Sequence, residues 1–86
     1  MAKLNAFSVY DSKAMVYQRP FFSLTEGEAT RAFSDEVKRP ESPFNAHPHD
    51  YTLIKIGYYE DHSGALEQIE NISIMTAIEA LNYEQG

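Results

Sequence analysis

Two histidines stand close together in the segment SPFNAHPHDYTL, residues 42–53. His47 and His49 are two positions apart, so in an extended chain their imidazoles point to the same side, as a shared metal ion requires. Asp61 and His62 form a second group of metal-ligating types. A full strand of about 25 Å, at ~3.3 Å per residue, separates the two groups, and no third ligand is close in sequence. We therefore predict that the histidines are loop residues and that the chain binds no metal.

The second group also contains the residue types of a hydrolytic triad, Asp61, His62 and Ser63. A triad requires side chains that converge from separate elements beside an oxyanion hole, and consecutive turn residues cannot face one another in that way. The sequence has no glycine-rich phosphate loop and no cysteine. These observations predict a protein that is not an enzyme, with no catalytic residue and no cofactor.

Composition predicts one small domain spanning residues 1–86, because 43% of the side chains are hydrophobic but no long apolar run is present. The chain is not expected to enter a membrane. Residues 1–10 lack the continuous apolar core of a signal peptide, which favours a cytosolic protein. A domain of this length has a thin core, so self-association would stabilise it.

The net charge of −6 is unevenly distributed. Residues 1–40 carry a net charge of +1, whereas residues 41–86 carry one base against eight acids. The total charge opposes long-range attraction to nucleic acid. A surface that contacts phosphate is therefore expected in the first half, and the acidic second half suits a protein partner. The candidate phosphate contacts are Lys13, Arg19, Arg31, Lys38 and Arg39.

Alternating hydrophobicity predicts two hairpins, over residues 3–22 and 51–70, which form a four-stranded, mainly antiparallel sheet. Pro20 cannot donate to a strand ladder, so its strand is placed at a sheet edge. With the helices described below, the order is ββαββα, which is typical of an α+β domain.

Two helices are predicted. Thr25 and Glu28 form a capping box before an apolar stripe, which predicts a helix at about residues 26–38. The spacing of Ile74, Ile78 and Leu81 predicts a short C-terminal helix, although residues 72–74 also suit an extension of the preceding strand.

The strand YTLIKIGYY, residues 51–59, determines which rings remain accessible. If side chains alternate strictly along this strand, Ile54, Ile56 and Tyr58 lie beneath the helices. The opposite face of the strand is then open. The side chains expected on that open face are Tyr51, Leu53, Lys55 and Tyr59, joined by Tyr10 or Tyr17 from the first hairpin.

An open antiparallel sheet with rings and a few cations is the layout on which single-stranded nucleic-acid bases stack, each base contributing ~1–3 kcal/mol. Tyr51 and Tyr59 would stack bases beside Lys55. The alternative is a homodimer that buries this apolar face, in a protein-interaction module that does not contact DNA. Composition favours the dimer, since bases are few; a dimer could also contact phosphate through the bases of the first half.

Five short motifs in the chain match a known pattern in order and spacing. They are VYDSKA at 9–14, PFF at 20–22, RAF at 31–33, HPxDYTL at 47–53 and IGYYEDHSGAL at 56–66. Together they resemble the small non-structural protein of gokushoviruses, bacteriophages of the Microviridae with single-stranded circular DNA. The resemblance extends over about residues 3–81.

The resemblance implies a viral non-structural protein of the host bacterial cytoplasm, often described as DNA-binding. A role in viral DNA replication or packaging is expected by analogy, with single-stranded DNA or viral replication and packaging proteins as partners. The resemblance offers no catalytic residue and no cofactor. The position of His49 is commonly glutamate in the family, which weighs further against a histidine-pair metal site.

Overall fold

The computed structural model describes residues 3–83, which form an antiparallel sheet with helices on one face. The predicted α+β class and the order of hairpin, helix, hairpin and helix are confirmed. A 3-10 turn at Pro48–Asp50 leads into the fourth strand. The elements are β1 (Lys3–Asp11), β2 (Val16–Tyr17), β3 (Phe21–Ser23), α1 (Glu26–Lys38), α2 (Pro43–Ala46), β4 (Tyr51–Glu60), β5 (Ala65–Thr76) and α3 (Ala77–Leu81).

The sheet has the order β2-β1-β4-β5, and β3 pairs with β1 further along the same edge as β2. The predicted second strand is therefore two short strands. Residues 18–20 leave the ladder between them, and Pro20 has no N–H to donate. Gln18 still bonds to β1, because its N–H donates to the Val9 carbonyl oxygen at 2.8 Å and its own carbonyl oxygen accepts from the Ser8 hydroxyl at 2.7 Å.

Helix α1 has the predicted bounds. The Thr25 hydroxyl accepts from the Glu28 N–H at 3.1 Å, and the Glu28 carboxylate accepts from the Leu24 N–H at 3.2 Å. At the other end of the chain, β5 continues to Thr76, where a second capping box with Glu79 begins α3. Ile74 thus lies within β5 and is not part of the C-terminal helix.

The core lies between α1, α3 and one face of the sheet. Ser34 in α1 donates from its hydroxyl to the Ala80 carbonyl oxygen in α3 at 3.2 Å, so the two helices are also joined by a buried hydrogen bond. The residues of the core are Phe7, Val9, Ala29, Phe33, Val37, Leu53, Ala77 and Ala80.

A β-bulge in β4 changes the faces that simple alternation predicts. Phe7 pairs with Lys55, but Ala6 pairs with Gly57, so β4 has one extra residue at Ile56. An extra residue places every later side chain on the face opposite to the one that simple alternation predicts. The sheet therefore cannot be described by one alternation along the whole of β4.

The predicted placement of the first half of β4 is wrong. Leu53 is fully buried in the core, Tyr51 packs against that core, and Lys55 is paired with the core residue Phe7. Ile54, expected beneath the helices, lies on the opposite face beside Ser8. Beyond the bulge the alternation is reversed, and Tyr59 lies on the face opposite the helices, as expected.

Gly57 is required where β4 and β5 approach each other at this bulge. A Cβ atom on Gly57 would overlap the backbone carbonyl oxygen of Glu67. On β5, residues 69–71 lie opposite the single residue Ile56, between Gln68, which pairs with Gly57, and Ile72, which pairs with Lys55. The irregularities on both strands bend the sheet at the same level.

Within the described part of the chain, no helix is both long enough and apolar enough to cross a membrane.

Candidate nucleic-acid interface

The loop with the two histidines is held by its apolar and capping residues. The Ser42 hydroxyl accepts from the Phe44 N–H at 3.1 Å and begins α2. The Phe44 ring contacts Phe33 and Tyr51, at centroid distances of 5.9 and 4.5 Å. Both histidines are exposed, and residues 3–83 contain no group of three or more His, Asp or Glu side chains placed to hold a metal ion.

Tyr51 belongs to this anchored region and not to an open surface. Burial raises the pKa of its hydroxyl, and the negative charges of Asp11 and Asp50 raise it further. With one side of its ring against Phe44, Tyr51 serves the packing between the loop and the core. Tyr51 is therefore not available for a nucleic-acid base to stack on.

The face of the sheet opposite the helices carries two aromatic pairs. Tyr10 and Tyr17 are cross-strand neighbours with ring centroids 4.7 Å apart, and Phe22 contacts Tyr59 at 5.1 Å. Leu66 is paired with Tyr59 and extends the same apolar surface. Tyr17, Phe22 and Leu66 are 45%, 42% and 71% exposed, so this face presents a patch of large side chains to solvent. We call these five residues the open face.

A groove of about 570 Å³ crosses the open face. Its wall combines aromatic and aliphatic side chains with the amides of Gln68 and Asn71. A groove of this kind offers rings for stacking and amide groups for hydrogen bonds to a base edge. The residues that line the groove include Tyr17, Pro20, Phe22, Ile56, Leu66 and Asn71.

One hydrogen bond closes part of the groove. The Asn71 side-chain amide donates to the Tyr17 hydroxyl at 2.9 Å. Tyr17 is on β2 and Asn71 is on β5, so the bond passes over β1 and β4. The insertion at residues 69–71 and the bend of the sheet bring these two distant strands together.

The predicted phosphate contacts do not form one surface. Arg31, Lys38 and Arg39 belong to α1 and its C-terminal end, on the layer opposite the open face. Lys13 and Arg19 are exposed in the segments that flank β2, next to Tyr17. Only the latter pair lies on the sheet layer that carries the open face.

Two of the three bases on α1 already have partners. Arg39 donates to Glu36 at 2.7 and 3.0 Å and to Glu41 at 3.0 Å, and its hydrogen bonds hold the pKa of Glu36 below its usual range. Lys38 Nζ donates to the Tyr83 carbonyl oxygen at 2.6 Å. A phosphate group would have to compete with these interactions.

Lys55 takes part in a cluster that the sequence did not indicate. The Nζ atoms of Lys3 and Lys55 lie 4.9 and 4.5 Å from the centroid of the Tyr58 ring, and Lys55 also donates to the Tyr58 hydroxyl at 3.2 Å. Lys3 pairs with Glu67 at 3.1 Å. Lys55 and Tyr58 are three residues apart in β4, but Lys3 comes from β1, so no local motif marks all three side chains.

The fold and this surface define a small α+β protein whose candidate site is an aromatic sheet face. The family model described as Phage ORF5 protein matches residues 4–80, nearly all of the chain. The chain belongs to this family of phage proteins. No curated protein and no solved structure matches it significantly.

Proposed function

We propose that this phage protein is a non-enzymatic accessory protein that binds single-stranded DNA weakly through its open face. The observation that carries the proposal is the exposure of Tyr17 and Phe22 beside a groove, with Tyr10 and Tyr59 packed against them. Each base that stacks on such a ring contributes ~1–3 kcal/mol without a requirement for one sequence. The amides of the groove would add hydrogen bonds to base edges.

Lys13 and Arg19 are the bases that would contact phosphate in this arrangement. Two phosphate contacts and a net charge of −6 favour weak binding with a shallow dependence on salt. Arg31, Lys38, Arg39 and Lys55 lie away from the open face, so they would contribute less than the sequence alone predicted. In this proposal the bases stack on Tyr17 and Phe22, and not on Tyr51 as the sequence predicted.

The biological role that we propose is in viral DNA replication or packaging, in the cytoplasm of the host bacterium. The motif resemblance to gokushovirus non-structural proteins supports this role, and membership of the phage family is consistent with it. Viral replication or packaging proteins would then be the partners that use the surfaces not occupied by DNA.

The test is fluorescence anisotropy of a labelled single-stranded oligonucleotide at low salt. Replacing Tyr17 and Phe22 together by leucine should weaken binding by about tenfold or more, since stacking contributes ~1–3 kcal/mol per base. The matched control is Leu81→Ala on α3, which removes an exposed apolar group from the opposite layer and should leave binding unchanged. Absence of binding at high micromolar protein, or an unaffected double variant, would refute the proposal.

A second candidate function is protein interaction without DNA, with the open face buried in a homodimer. The exposure of Leu66 beside Phe22 and Tyr59 favours it, because such an apolar surface is typical of an interface. Light scattering after gel filtration distinguishes a monomer from a dimer. A dimer that Tyr59→Asp converts to a monomer supports this candidate, whereas a monomeric wild-type protein excludes it.

A further inference from the structure

The outer edge of β5 is a second feature of the sheet that is open to a partner. At 12 residues β5 is the longest strand, and it is the last strand in the sheet order. One edge pairs with β4, and no other strand between residues 3 and 83 pairs with the opposite edge. The far side of the sheet differs, since β2 and β3 cover β1 there and Pro20 interrupts them.

The first part of β5 has the geometry that strand addition requires. Residues 65–68 pair regularly with 57–60 and are all exposed. A regular, exposed strand edge presents N–H and C=O groups that can bond to a further extended chain. Antiparallel addition is favoured, because antiparallel ladders are slightly more stable per residue.

Charge distinguishes between the occupants that could take this edge. On β5 the charged residues are Glu67 and Glu70, and the strand has no base. A second copy of β5 would bring the glutamates of two strands together, and like charges across a strand pair are destabilising. A strand with lysine or arginine would be stabilised at the same positions.

The alternation of β5 also determines the pattern of the partner. Leu66 pairs with Tyr59 and belongs to the open face, whereas Glu67 pairs with Tyr58 and lies on the other side, where it contacts Lys3. A strand added beside β5 would therefore place apolar side chains next to Leu66 and basic side chains next to Glu67. Such a strand has alternating apolar and basic residues.

We propose that the outer edge of β5 at residues 65–68 accepts an extended, basic segment of a partner protein as an additional antiparallel strand. This interaction uses main-chain groups of an edge that the proposed DNA interface does not use. The added strand would lie beside Leu66 of the open face, so the two proposals share one side chain, but strand addition depends on main-chain bonds that DNA binding does not need.

The experiment measures binding of labelled extended peptides by fluorescence anisotropy. A peptide of alternating valine and lysine should bind, and one of alternating valine and glutamate should not. N-methylation of alternate residues tests strand addition directly: methyl groups on one set of alternate residues should abolish binding, and methyl groups on the other set should leave it intact. Diffuse charge attraction would respond equally to both sets.

Charge reversal on the protein completes the test. Glu67→Lys with Glu70→Lys should weaken binding of the lysine peptide by about threefold or more, because Glu67 forms a cross-strand charge pair with the peptide and Glu70, just beyond residues 65–68, adds to the negative charge there. Glu26→Lys with Asp35→Lys makes the same change in charge on α1 and should have a smaller effect. Absence of binding, equal binding of both peptides, or equal effects of the two methylation patterns would overturn the proposal.

Discussion

The backbone N–H of Ser12 donates a hydrogen bond of 2.8 Å to the carbonyl oxygen of Asp50, and the Ser12 hydroxyl donates to the same oxygen at 3.2 Å. These bonds join the turn after β1 to the end of the histidine loop, where Asp11 pairs with Tyr51. The motifs at residues 9–14 and 47–53 are therefore two sides of one junction. The histidine segment positions the start of β4 and does not assemble reactive groups.

Tyr51 at this junction should make stability depend on alkaline pH. Burial and the nearby Asp11 and Asp50 raise the pKa of its hydroxyl, so the folded state favours the neutral form. The stabilisation is fully present below the unfolded pKa of about 10 and is lost as pH rises through the higher folded value. Urea unfolding should show a steeper alkaline loss of stability for the wild type than for Tyr51→Phe. Equal slopes would contradict this assignment.

Among the glycines of residues 3–83, Gly57 should tolerate replacement by alanine least. A Cβ atom there would overlap the Glu67 carbonyl oxygen, and such overpacking costs about 3 kcal/mol. The matched control is Gly64→Ala, since Gly64 has φ +78° but no heavy atom within 4 Å of an added Cβ. That change should cost only about 1 kcal/mol. Urea unfolding compares the two, and equal losses would contradict the described contact between β4 and β5.

The hydrogen bond between Asn71 and Tyr17 should couple two distant strands. A double-mutant cycle of Tyr17→Phe and Asn71→Ala should give an interaction energy of about 0.5–1 kcal/mol in urea unfolding. A cycle of Tyr59→Phe and Asn71→Ala serves as the control and should give a value near zero. If both cycles are additive, the bond does not hold the groove in solution.

Met15 should be a site of local strain. Its φ of 60° is in the left-handed region, which costs a residue with a side chain about 1–2 kcal/mol. Met15→Gly should therefore raise the free energy of unfolding by about 0.5 kcal/mol, because glycine adopts this conformation without strain but loses more chain entropy. Val16→Gly in the adjacent strand should lower it. A destabilised Met15→Gly variant would exclude strain at this turn.

Local signals in the sequence were sufficient to predict the fold class, the first helix and the edge of the sheet. Thr25 with Glu28 marks the start of α1, and Pro20 marks the interrupted edge strand, because each acts within a few residues. The faces of β4 could not be predicted by alternation, since the bulge at Ile56 depends on the approach of β5. Gly57 was the available signal, because an isolated glycine in a strand often marks a bulge.

The other features that the sequence did not predict are contacts between distant strands. The Tyr17–Asn71 bond and the contact of Lys3 with the Tyr58 ring join residues that are far apart in the chain. Neither has a sequence spacing that a local motif could indicate. The residues of the open face therefore differ from the predicted ones, although Tyr10, Tyr17 and Tyr59 belong to both sets.

The most direct test of the proposed function is amide chemical-shift mapping by NMR during titration with a single-stranded oligonucleotide at low salt. The shifts should concentrate on the open face, at Tyr10, Tyr17, Phe22, Tyr59 and Leu66, while the amide signals of α1 and α3 remain unchanged. Shifts confined to α1 around Arg31 and Lys38, or no shifts at saturating DNA, would contradict the proposed function.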